Sequence, residues 1–235
     1  MFQDFQERFT PKSINDIVFA DDASAELIQD LVSGLRPFPI AEGKCGILLY
    51  GVPGTGKSAL AKLLPDTIER ARGGEIANEM YVRVQPGNNG MNMVNNISSR
   101  AQLVSFANFH YFVLDEVDQL NKDAMSILKS VMNYKNSLWV LTTNNFDAIE
   151  IGIRDRCHCI PFNAAPAERW LPLAKKILTH AGVISLDEQQ LCSVIARCNG
   201  SARNITDAIF SIAIQVRKNH EKVVAEIVRN LPQEC

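Results

Sequence analysis

The segment Gly51-Val52-Pro53-Gly54-Thr55-Gly56-Lys57-Ser58 fits the pattern G-x-x-x-x-G-K-S/T, and each residue type in it has a chemical use. Glycines let backbone N–H groups turn inward around phosphate oxygens with no Cβ in the way. A helix starting where the loop ends points its positive terminus at the same anion. Lys57 can then reach the β- and γ-phosphates of a nucleoside triphosphate, and the Ser58 hydroxyl can ligate Mg²⁺. Gly51 to Ser58, with Ala59 behind them, are the candidate ATP-binding residues, and Lys57 is also a catalytic candidate.

Phe112-Val113-Leu114-Asp115-Glu116 is an apolar run that ends in two carboxylates. At the end of a buried strand Asp115 would face the nucleotide and, with Ser58, hold Mg²⁺. Glu116 would polarise the attacking water as general base. Neighbouring strand residues point to opposite sides, so the two acids could do different work. An isolated pair of this kind serves as often to cap the next helix. With a phosphate loop upstream, the hydrolytic reading prevails.

These side chains need a scaffold, and the apolar pattern supplies one. Residues 46–50, 81–84, 110–114, 138–143 and 159–162 read as short buried strands. Ser58 to Arg70 reads as a helix that Pro65 would kink or end early. Lys122 to Tyr134 is a second helix with Met125, Leu128, Val131 and Met132 on one face. Beyond Phe162 strand signals stop, and helices are expected over residues 167–181, 187–197, 202–218 and 221–230. The expected architecture is an α/β P-loop NTPase with a parallel sheet over residues 1–162, and a small all-α lid with a helical tail over 163–235.

Composition narrows the partners. The chain of 235 residues is 46% hydrophobic and 21% charged, with a formal net charge of −2, which excludes coating nucleic acid by bulk charge. Its six cysteines form no CxxC pairs, so reduced thiols in a cytoplasmic setting are expected. No secretory leader or membrane-spanning apolar run is read from the sequence.

Several motifs, in order from about Glu7 to about Ile212, resemble the AAA+ ATPases, and within them the clamp-loader group of the replication factor C small-subunit or phage type. Residues Arg8 to Val18 are similar to the family's "YRPKTLDDVVG", which implies Val18 near the adenine. Asp115-Glu116-Val117-Asp118 resembles its "DEAD" box. Thr142-Thr143-Asn144 resembles its sensor-1 segment, which implies that Asn144 contacts the γ-phosphate or the water. Ile153-Arg154-Asp155-Arg156-Cys157 resembles "IQSRC", implying Arg156 as a finger acting in trans, with Arg154 as its rival. Gly200-Ser201-Ala202-Arg203 resembles "GDMR", implying Arg203 as the sensor-2 arginine of the lid. A permanently charged planar fork suits the charge that develops on a transferring phosphoryl group.

Three departures stand out. Asp155 replaces the serine of the finger motif. Met93-Val94-Asn95-Asn96-Ile97 lacks the basic residues of the family's "VVRNKI", which lie near DNA. The chain also stops where the family usually continues into a collar domain. The resemblance implies an ATP hydrolase using ATP and Mg²⁺ to assemble or remodel a DNA-replication complex. Its implied partners are identical or homologous AAA+ subunits in a pentamer or hexamer, with DNA and a sliding clamp or another replication protein as candidates. A bacterial or phage source is expected, with a nuclear location if eukaryotic. The alternatives are a helicase or transposase loader, or an ATP-binding scaffold subunit with little turnover.

Overall fold

A computed structural model describes residues 7–40, 42–182 and 187–230, with side chains as far as Lys218. The chain divides into two compact units, Pro11–Asn163 and the residues from Ala164 on, the second of which takes in residues 7–10.

In the first unit five parallel strands, β1 (Gly46–Tyr50), β2 (Asn78–Arg83), β3 (His110–Asp115), β4 (Ser137–Thr143) and β5 (Cys157–Pro161), lie in the order β2-β3-β4-β1-β5. The near-continuous apolar runs of β1, β3 and β4 follow from burial on both faces. Alternate residues serve opposite layers. Ile47, Leu49, Tyr111, Val113, Leu138 and Val140 pack with α1 (Asp22–Ser33) and α2 (Lys57–Ala71), whose Ile28, Leu31, Leu60, Leu64 and Ile68 face them. Leu48, Phe112, Leu114, Trp139 and Leu141 pack with α3 (Met91–Ala101), α4 (Lys122–Val131) and the short α5 (Ile151–Asp155) through Val94, Ile97, Leu128 and Ile153.

Several elements differ from the sequence expectation. Helix α2 continues through Pro65 to Ala71. Burial of Leu60, Leu64, Pro65 and Ile68 offsets the roughly 3 kcal/mol an interior proline costs. Helix α1 was not anticipated, although Asp21 caps it by accepting from the Ser24 amide at 2.7 Å and Gly34 ends it at φ 80°. The segment Met93 to Ile97 lies within another unanticipated helix, α3, with Met93, Val94, Ile97 and Ala101 turned to the core.

The second unit holds α6 (Ala167–His180), α7 (Glu188–Ala196) and α8 (Ala202–Asn230). Helix α8 is continuous where two helices were expected, since no Gly or Pro interrupts residues 202–230. Arg8 and Phe9 were read as part of the α/β domain, but they pack in this helical unit. The Phe9 ring lies 5.6 Å from His180 and 6.2 Å from Phe210, and Arg8 meets the His180 ring nitrogen at 3.1 Å. No described helix is long and apolar enough to cross a membrane.

Two close approaches shape the first unit. Glu69, 2% exposed near the end of α2, accepts from the Asn108 amide at 3.0 Å, the Asn108 side chain at 2.9 Å and the Tyr111 hydroxyl at 2.7 Å. Gly46, at the start of β1, faces the Cys157 thiol so closely that a Cβ there would sit 2.6 Å from Sγ. Replacing Gly46 with Ala should therefore push β1 from β5 and lower unfolding free energy by about 1–3 kcal/mol. An unchanged denaturant midpoint would show that this strand pair is not tightly packed.

Candidate functional site

The loop between β1 and α2 turns on glycines in the left-handed region: Gly51 at φ 141°, Gly54 at 83° and Gly56 at 107°. At Gly51 a Cβ would also come within 2.7 Å of the Phe162 carbonyl, so both conformation and space require glycine. Helix α2 starts at Lys57, directly after the loop. The Lys57 ammonium is buried and donates to the Gly51 and Val52 carbonyls at 2.9 and 2.6 Å, so the cation lies on the loop's own backbone.

Asp115 ends β3 against this loop and is 3% exposed. Its Oδ1 accepts from the Ser58 hydroxyl at 2.7 Å and the Thr142 hydroxyl at 2.5 Å, and its Oδ2 accepts from the Tyr81 hydroxyl at 2.9 Å. Burial alone pushes this carboxyl up. The Thr142, Ser58 and Tyr81 hydroxyls, with the Arg83 charge, outweigh burial and hold it below its ordinary value of 3.8. The group is thus an anion beside a hydroxyl, a donor pair that fits a hard divalent cation whose other positions are filled by phosphate or water. Among the described residues no cluster of three or more His, Cys, Asp or Glu side chains could hold a metal without such help.

Glu116 lies differently from the expectation of simple strand alternation. The strand ends at Asp115, and Glu116 itself is left-handed at φ 63°. Its amide donates to Thr142 Oγ1 at 3.0 Å, which holds a conformation that costs non-glycine residues about 1 kcal/mol or more. Its carboxylate meets Arg83 of β2 at 2.8 Å, with the two side chains 58% and 32% exposed on the Arg and Glu sides.

Asn144 follows β4 and is exposed. Asp118 anchors this turn by accepting from the Thr143 hydroxyl at 2.8 Å and the Asn144 amide at 3.3 Å. Lys57, Ser58, Asp115, Glu116 and Asn144 therefore gather around the loop-side ends of β1, β3 and β4. Val18, half-buried, follows a short 3₁₀ turn at Ile14–Asp16. Arg203 is an exposed residue of α8 in the helical unit.

Arg156 stands apart. Its carbonyl accepts from the Cys45 and Gly46 amides at 2.9 and 3.0 Å, at the start of β1, whereas the loop follows the end of that strand. A strand of this length separates the two by about 15 Å. The guanidinium is tied to Asn133 Oδ1 at 2.8 Å and the Gly152 carbonyl at 2.7 Å. The side chain thus lies at the end of β1 opposite its own phosphate loop. Its rival Arg154 lies 4.8 Å over the Phe146 ring and 3.7 Å from Asp147.

Four residues went unassigned in the sequence reading: Thr142, Asp118, Tyr81 and Arg83. The first two lie within quoted motifs and could have been found there. Tyr81 and Arg83 share a strand face, but only the pairing of β2 with β3, which sets Arg83 beside Asp115, gives them meaning. Because the folded-state pKa of Asp115 is depressed, its stabilising contribution is complete above the ordinary carboxylate value and disappears as pH falls through the folded-state pKa. The stability gap between the wild type and Asp115→Asn should therefore be largest near neutrality and shrink in acid. A gap that stays constant across acid unfolding curves would contradict the charged, hydroxyl-matched carboxylate.

Comparison with known proteins agrees with this geometry. Residues 47–162 match the family described as "ATPase family associated with various cellular activities (AAA)". Over 221 residues the chain is 26% identical to replication factor C small subunit 2 of Pyrobaculum islandicum, covering 93% of this chain and 66% of that protein. Over 228 residues it is 22% identical to human replication factor C subunit 5, covering 93% and 62%. The chain thus spans about two thirds of the length of these curated relatives. The fold matches the RuvB Holliday junction branch migration motor of Thermotoga maritima with a TM-score of 0.64 at 15% identity, covering 93% of this chain and 67% of that one. The strand–loop–helix that carries Gly51 to Ser58 and the acid-ended strand that carries Asp115 both fall within the segment that matches the AAA family, and the chain is similar to replication factor C small subunits over most of its length.

Proposed function

We propose that the chain is an ATP hydrolase of clamp-loader type, coupling ATP binding and hydrolysis to the assembly or remodelling of a DNA-replication complex. One observation carries the reading. A chain of hydrogen bonds runs from Ser58 to Asp115, to Thr142 and on to the Glu116 amide, joining the phosphate loop to a carboxylate suited to water activation. Bound ATP and Mg²⁺ would bring the transferable phosphoryl group and a cation to neutralise its charge. Gly51 to Gly56 cradle the phosphates, Lys57 meets their charge, and Ser58 and Asp115 hold the cation. Glu116 accepts the proton of the attacking water. Asn144 orients that water from a turn fixed by Asp118.

The Arg83–Glu116 pair bears on rate. A pair this exposed is worth at most about 1 kcal/mol, so it restrains the carboxylate without locking it. The same pair favours a second reading, an ATP-binding subunit with little turnover of its own. Arg156 serves a neighbouring subunit, since its own loop lies a strand away, and Arg203 acts from the helical unit as sensor 2. A loop before β3 suits a protein partner. It exposes Leu103, Val104 and Phe106 by 66%, 98% and 78%, and it is pinned by Glu69 to Asn108 and by His110 to the Leu103 carbonyl at 2.8 Å. Identical or homologous AAA+ subunits, DNA and a sliding clamp are the partners this reading calls for.

Two experiments test it. Glu116→Gln should bind ATP as the wild type does and lose turnover by about 100-fold or more. Equal hydrolysis by both proteins, with and without DNA, would remove Glu116 as the base, and negligible hydrolysis by the wild type would leave the low-turnover reading standing. Arg156→Ala should bind ATP yet lose turnover, and mixing it with Lys57→Ala should restore part of the activity at interfaces that join the two intact halves. Absence of rescue in mixed assemblies would remove Arg156 from the site.

A further inference from the structure

The phosphate-loop reading leaves the Tyr81 hydroxyl without a task, yet it occupies a defined place. Asp115 Oδ1 is anchored by Thr142 at 2.5 Å and Ser58 at 2.7 Å, while Tyr81 anchors Oδ2 at 2.9 Å. The last torsion of an aspartate is soft and broadly populated. Rotation about the Cβ–Cγ bond moves both oxygens, so the two donors on Oδ1 resist it from one side of the carboxylate only. A third donor on Oδ2 resists it from the other and fixes the plane.

The phenol is itself held in place. Lys62 Nζ lies 4.5 Å from the Tyr81 ring centroid. Lys62 and Ser58 stand one turn apart on α2, so one face of the helix supplies both a hydroxyl for Oδ1 and a cation over the ring. Burial, reinforced by the hydrogen bond to Asp115, pushes the phenol up to about 12, so it remains a donor under ordinary conditions. Arg83, two residues along the same strand, takes Glu116, so β2 holds both members of the acidic pair from one side.

We infer that Tyr81 is a positioning residue, setting the plane of the Asp115 carboxylate toward the divalent cation that accompanies a bound nucleotide. The inference rests on the nucleotide-site reading above and adds a residue to it. Tyr81 need not touch the nucleotide or the cation. Its effect passes through Asp115 and so should be confined to cation-dependent binding.

The test is Tyr81→Phe, which keeps the ring under Lys62 and removes the hydroxyl. Binding of a fluorescent ATP analogue is measured over a Mg²⁺ titration and again in excess chelator, beside an unfolding midpoint. The Mg²⁺ concentration for half-maximal tightening should rise roughly three- to tenfold, the size of one ordinary hydrogen bond, since Tyr81 acts on the cation only through Asp115. Affinity in chelator should match the wild type, while the unfolding midpoint should fall modestly because Oδ2 of a buried carboxylate loses a donor. An unchanged Mg²⁺ dependence overturns the inference, as does an equal loss with and without Mg²⁺. Ser58→Ala separates the two layers. If it abolishes the Mg²⁺ response while Tyr81→Phe does not, only the role of Tyr81 fails. If the wild type itself shows no Mg²⁺ response, the nucleotide-site reading fails first.

Discussion

A carboxylate with 3% exposure is stable as an anion only if its oxygens are met by donors, and Asp115 is where that requirement gathers the unit together. The donors come from α2 through Ser58, from β2 through Tyr81 and from β4 through Thr142, while β3 supplies the acid itself. Each element is therefore tied at one end to the same carboxylate. Sliding β2 by one residue would turn Tyr81 to the opposite face of the sheet and leave Oδ2 without its phenol. The interaction is a condition on register as much as a feature of a site.

The apolar layers make that register affordable. With Leu48, Phe112 and Trp139 on one face and Ile47, Tyr111 and Val140 on the other, each central strand is buried on both sides. Where the backbone must come closest, side chains give way. Gly46 yields to the Cys157 thiol and Gly51 to the Phe162 carbonyl, so β5 and the chain after it lie against β1 and the phosphate loop. At the far end of α2, Glu69 repeats the logic of Asp115 on a smaller scale. A buried acid is met by Asn108 and Tyr111, and the helix that begins at the phosphate loop ends on the segment leading into β3.

The same sheet separates tasks by distance. Residues that would meet this chain's own nucleotide lie at the ends of β1, β3 and β4, whereas Arg156 lies at the beginning of β1. A parallel sheet has two unlike ends, and the arginine lies at the one away from the loop. Asn133, at the end of the segment that carries α4, holds the Arg156 side chain, so the helix following the acidic pair also sets the arginine.

Some of this was legible in the residues alone. The phosphate loop, the acid-ended strand and the change from strands to helices beyond Phe162 are local patterns, because a glycine turn, a buried run and a helical stripe each depend on neighbours in the chain. Helix α1 carries readable caps in Asp21 and Gly34, and α3 an apolar stripe, so both are written in local signals as well. The partners of Asp115 and Glu116 were of another kind. Tyr81 and Arg83 are ordinary strand residues until β2 pairs with β3, and Phe9 is an ordinary aromatic until it meets His180 and Phe210. Residue type and spacing determined that this chain would hold phosphate beside a pair of acids. Tertiary structure alone decided which hydroxyls and which cation hold those acids, because hydrogen bonds between distant strands are set by register and burial, which no short window of sequence contains.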